Sequence, residues 1–154
     1  MSEQKGELPP NGRPKGNGDA AKLASMLTGV LADSYALMVK NFFASLHRLT
    51  EEHYENLFDA VDTLARRIRN LGYPAPTSFV ELADQTAIDE TTSDQTAEQI
   101  TASLLRDHEV LMRRLRSVVD MAIACKDAVT AKIVKERMAF HEKAIAMLRA
   151  VPSH

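Results

Sequence analysis

His47, Glu51 and Asp62 are the residues of this chain whose types and spacing could do chemistry together. An imidazole and two carboxylates are donors that suit a divalent metal ion when several act at once. His47 and Glu51 are four residues apart, so on a helix their side chains share a face. Asp62 lies 15 residues past His47. That interval is four turns plus about 60°, and about 22 Å along the axis. One ion cannot touch both ends of it. Two copies of the helix, packed antiparallel about a two-fold axis near Tyr54 and Glu55, bring His47 and Glu51 of one chain to Asp62 of the other. The spacing therefore predicts a site between chains. The plainer reading is a polar interface, with Asp62 and Arg66 forming an i,i+4 ion pair.

The element that must carry these residues spans 42–71. Phe42, Leu46, Leu49, Tyr54, Leu57, Val61, Leu64, Ile68 and Leu71 step by three and four without Gly or Pro, the pattern of a long amphipathic helix, and Gly72 stops it. A first helix is expected over roughly 20–40, capped by Asp19, with Leu23, Leu27, Val30 and Leu37 in its stripe. Lys40 and Asn41 leave almost no turn before the second helix. The alternative is a continuous helix over 20–71, about 75 Å long, that could not fold back within one bundle.

After Tyr73-Pro74-Ala75-Pro76, Thr77 or Ser78 caps a short helix from Phe79 to about Thr86. Thr92 with Gln95 fits a capping box for a third long helix reaching about Cys125, with Ile100, Leu104, His108, Leu111, Leu115, Val118, Ala122 and Ile123 inward. Arg113, Arg114 and Arg116 fall mostly off that stripe and read as a solvated or interface face. Asp127 opens a fourth helix with the stripe Val129, Ile133, Phe140, Ala144, Met147 and Leu148. His53, His108 and His141 lack metal-type spacing, and neither Glu-x-x-His nor His-x-x-x-His occurs. The reading is an all-α bundle of four long helices, with a small extra helix in the long connection between the second and third.

Composition agrees. The chain is 45% hydrophobic and 26% charged, has no Trp, and is long enough for one domain with a real core. Residues 1–18 read as a flexible tail and 19–151 as the bundle. The net charge of −2 marks neither a strong nucleic-acid binder nor an acidic tail protein. The tail's Lys5, Arg13 and Lys15 are open to two readings, an arm for a phosphate backbone or incidental charge offset by Glu3 and Glu7. The single Cys125 excludes an internal disulfide framework. No apolar run reaches membrane-spanning length, and no secretory h-region is seen in the first 20 residues, so a cytoplasmic location is expected.

Three segments resemble the Dps family, the DNA-binding ferritin-like proteins of starved cells. They are LHRLTEEHYENLFDAVDTLARRIRNLG over 46–72, LLRDHEVLMRRLRSVVDMA over 104–122 and ERMAFHEKAIAMLRA over 136–150. The resemblance implies a ferritin-like four-helix bundle and a hollow dodecameric shell. It implies oxidation of Fe(II), usually by hydrogen peroxide, between two-fold-related subunits, with storage of ferric mineral. In many members it also implies DNA coating through basic tails, hence nucleoid association. His47, Glu51 and Asp62 fall on three of the family's iron-ligand positions.

The chain also departs from the pattern. The family's His-Trp-Asn block and Gly-ended loop between the first two helices are missing, and with them one iron-ligand His. The Glu expected four residues after Asp62 is Arg66, a cation that repels Fe(II) and can pair with Asp62. A Trp of the last helix is Ala146. Two functions follow as expectations. One is an iron-binding ferroxidase and storage assembly with reduced activity that protects DNA under stress. The other is a non-catalytic structural or DNA-associating assembly, dodecameric or smaller.

Overall fold

Each helix begins and ends where local chemistry dictates. The computed structural model describes residues 18–44, 48–89 and 95–152. It contains α1 (Asp19–Phe43), α2 (Arg48–Asn70), α3 (Phe79–Gln85), α4 (Ala97–Ala124) and α5 (Ala128–Arg149). No strand occurs among the described residues. Helix α1 packs on α2 and α4, and α5 packs on α4 and α2, so the four long helices close a square with α3 laid against α1. This is the expected all-α bundle, with the short helix in the connection between the second and third long ones. Its interior is aliphatic. Leu27 and Leu37 of α1, Leu57 and Leu64 of α2, Leu111 and Leu115 of α4 and Leu148 of α5 are all buried.

The corner between α1 and α2 differs from expectation. Asn41 is buried within α1, and its Nδ2 donates to the Leu37 carbonyl at 2.8 Å. Helix α1 therefore runs to Phe43, and Phe42 lies in its last turn with 63% of its surface exposed instead of opening the α2 stripe. Ala44 is extended (φ −75°, ψ 140°), so the chain leaves the helix there and no single rod spans 20–71. Gly18, not Asp19, is the N-cap of α1, with Asp19 placing negative charge in the first turn.

The other ends follow the side chains available. Gly72 takes φ 94°, the left-handed conformation that closes α2. Ser78 caps α3 by accepting from the Glu81 N–H. The capping box of α4 is formed by Thr96 and Gln99. The expected box rested on Thr92, which lies outside the described residues. Asp127 caps α5, its carboxylate accepting from the Thr130 N–H.

That cap sets the rotation of α5. Arg67 of α2 is buried; its Nη2 donates to both Asp127 oxygens at 2.9 Å, and its Nε donates to Thr130 Oγ1 at 2.8 Å. Thr130 and Ala131 consequently turn inward, and Val129 and Met147 of the expected stripe lie outward, as does Ile123 at the end of α4. Arg114 is also corrected, because it is not a free surface cation. Its Nη1 donates to Asp33 Oδ2 at 3.1 Å and to the Gln85 carbonyl at 3.0 Å. Asp33, fully buried on α1, also accepts from Thr86 Oγ1 and the Ala87 N–H. Gly29 lets the arginine in, since a Cβ there would lie 2.7 Å from Arg114 Nη1.

Candidate functional site

Helix α2 turns Leu57, Ala60, Leu64 and Ile68 into the bundle and leaves an outer face bearing Glu51, Glu55, Phe58, Asp62 and Arg66. Glu51 and Asp62 are separated by three turns plus about 20°, so they share that face, but about 16 Å apart along the axis. The structure thus places both carboxylates on one exposed surface and does not bring them together within one chain. His47, and with it the imidazole of the predicted site, lies outside the described residues, as do Lys5, Arg13 and Lys15. Asp62 is already engaged, since Arg66 Nη2 sits 3.1 Å from its Oδ2. Both side chains of this i,i+4 pair are more than half exposed. Among the described residues no three His, Cys, Asp or Glu are grouped so as to hold a metal ion.

The same surface is aromatic at the α1–α2 corner. The rings of Phe43, Phe42, Tyr54 and Phe58 follow one another at centroid distances of 5.0, 5.6 and 6.4 Å. Phe43 is 76% and Phe58 57% exposed. A continuous aromatic ridge left in water marks a surface that buries itself against something else. Beneath it, Lys40 near the end of α1 forms an ion pair with the buried Asp107 of α4 and donates to Ser103 Oγ at 2.8 Å. Burial raises the Asp107 carboxyl, against the pull of Lys40. This pair ties the end of α1 to α4.

Inside the bundle the structure brings together residues that sequence spacing kept apart. His53 of α2, His108 of α4 and His141 of α5 are all buried, and Phe140 and Arg137 of α5 lie beside them. Burial lowers His53, takes His108 down to about 3 and holds His141 well below its ordinary value. Burial also lowers Arg137, to about 10. The one sequence signal was His108 sitting in an apolar stripe. No spacing rule connects residues on three different helices.

Comparison with known proteins gives consistent relatives. The ferritin-like domain family matches residues 29–153. An uncharacterized low temperature-induced protein of Nostoc sp. is 38% identical over 141 residues, covering 82% of this chain and 77% of that protein. A "DNA protection during starvation protein" of Brevibacillus brevis is 30% identical over 110 residues, covering 71% and 73%. Among solved structures, antigen TpF1 from Treponema pallidum superposes with a TM-score of 0.83 at 30% identity, covering 92% of this chain and 96% of that one. A Dps protein from Bacillus brevis gives 0.83 at 26% identity, covering 88% and 98%.

Proposed function

The chain belongs to the Dps family of ferritin-like proteins, and from that premise we propose that it acts as a homo-oligomer taking Fe(II) where two α2 helices meet. The observation that carries this reading is the outer face of α2. It presents Glu51 and Asp62 on one side of one helix, too far apart for one ion, next to an aromatic ridge suited to a second copy. His47 and Glu51 of one chain and Asp62 of its neighbour are the ligands. Iron is the substrate. Two Fe(II) ions each give one electron to hydrogen peroxide, its O–O bond breaks, and two protons complete two waters, so no hydroxyl radical is released. The ferric product is stored inside the assembly. The location is cytoplasmic, which suits the lone buried thiol of Cys125. The basic residues of the tail, Lys5, Arg13 and Lys15, supply a weak contact to DNA and hence an association with the nucleoid.

A second reading is a non-catalytic scaffold, favoured by the Arg66 guanidinium on Asp62. Anaerobic Fe(II) oxidation by hydrogen peroxide separates the two. The expected rate exceeds a protein-free control, falls to it in Asp62→Ala, and rises in Arg66→Glu, which removes the competing cation and adds a carboxylate. A wild-type rate equal to the control sinks the ferroxidase reading and leaves the scaffold. A low-salt gel shift that survives deletion of residues 1–18 would remove the tail as the DNA contact.

A further inference from the structure

The bundle interior holds a polar pair that iron chemistry at the α2 face does not use. His108 and His141 are fully buried, and their Nδ1 atoms stand 2.8 Å apart. One hydrogen between two nitrogens forces opposite tautomers. The donor ring carries its proton on Nδ1, and the acceptor ring carries its own on Nε2. Neither Nε2 has a hydrogen-bond partner among the described residues. Rings enclose the pair: His53 of α2 stands 5.6 Å from His108 and Phe140 of α5 stands 4.9 Å from His141, centroid to centroid. Among the described residues, the charged and titratable groups acting on the two imidazoles are His53 from α2 and Arg137 from α5, with His108 of α4 acting on His141 as well, and no carboxylate is among them. Glu52 acts on His53 and Asp59 on Arg137, one group further out.

We propose that His108 and His141 form an acid-operated latch: the neutral, hydrogen-bonded pair clamps α4 to α5, and uptake of two protons drives the helices apart. A first proton puts a full charge into an apolar interior beside Arg137. A second sets N–H against N–H across 2.8 Å and removes the hydrogen bond. The unfolded chain binds both protons near pH 6.5, whereas burial holds the folded His108 to about 3 and the folded His141 well below its ordinary value. Below that unfolded value the unfolded state carries more protons than the folded one, so stability falls as pH falls. Burial raises Asp33 and Asp107, which favours the folded state on acidification, so these two carboxyls oppose the latch. Asp127, held low, loses its contribution only at more acidic pH.

The test is an acid titration of the full chain followed by far-UV circular dichroism, with native mass recorded alongside. The wild type is expected to lose helix cooperatively between about pH 6 and pH 4, with about two or more protons bound per chain as it opens. His108→Gln and His141→Gln each keep a hydrogen-bonding group that does not titrate. Each is expected to lower the midpoint by about half a pH unit or more and to reduce the proton count. An unchanged midpoint and proton count in both variants overturns the latch. If the variants fail to fold, imidazole nitrogen NMR of the wild type decides. One ring in each tautomer, both untitrated at about pH 6 before helix is lost, supports the latch. Two rings that protonate near pH 6 with the helices intact overturn it.

Discussion

Arg67 and Asp127 face each other with almost no solvent contact, and Thr130 joins them: its hydroxyl accepts from Arg67 Nε and donates to Asp127 Oδ2, and its N–H donates to Asp127 Oδ1. Burial pushes the Asp127 carboxyl up, but the hydrogen bonds from Thr130 and the Arg67 guanidinium outweigh it and hold the carboxyl below its ordinary value. A buried pair of this kind gains little over an apolar pair, yet removing one partner strands the other charge. Arg67→Ala is therefore expected to lose about 3–5 kcal/mol in urea denaturation at neutral pH. Because the folded Asp127 carboxyl is depressed, its contribution is complete above the unfolded value and is lost as pH falls through the folded one. The penalty of Arg67→Ala should accordingly shrink in strongly acidic buffer. A penalty independent of pH would show that Arg67 acts through packing alone.

Helix ends decide how the elements are placed. The Thr96 hydroxyl accepts from the Gln99 N–H, and the Gln99 side chain accepts from the Thr96 N–H, which fixes where α4 starts after the long connection. Thr96→Ala is expected to cost about 1 kcal/mol, a fall of about 2–4 °C in Tm for a chain of this size. Thr96→Ser should restore most of it. No change in Tm would show that the first turn of α4 is already frayed. The corner between α1 and α2 has a different logic, because Asn41 back-bonds within α1 and Lys40 is drawn to Asp107. Those two contacts let the helix run on to Phe43 and turn the aromatic ridge outward.

At the scale of the whole molecule, a chain of 17.0 kDa leaves Phe42, Phe43 and Phe58 exposed along one ridge, the surface that the proposed assembly would cover. Native mass spectrometry is expected to show a multiple of the chain mass, and Phe58→Glu is expected to shift the population toward smaller species while far-UV circular dichroism stays the same. A wild type that runs as a monomer would dismiss the ridge as an interface and the inter-chain iron site with it. No helix among the described residues is long and apolar enough to cross a membrane.

The sequence by itself determined which segments are helical, apart from their ends, how many pack, and that His47 and Asp62 cannot share an ion within one chain. These follow from a periodicity of 3.6 residues and a fixed rise, which are local properties. The i,i+4 pairing of Asp62 with Arg66 was legible for the same reason. Tertiary structure alone decided the rotation of α5, since whether Val129 or Thr130 turns inward depends on Arg67 reaching across from another helix. It alone turned Arg114 from a surface cation into the partner of Asp33. It alone joined His108 to His141, 33 residues apart along the chain. Pairs of this kind are set by where helices cross, and no spacing within one helix encodes that.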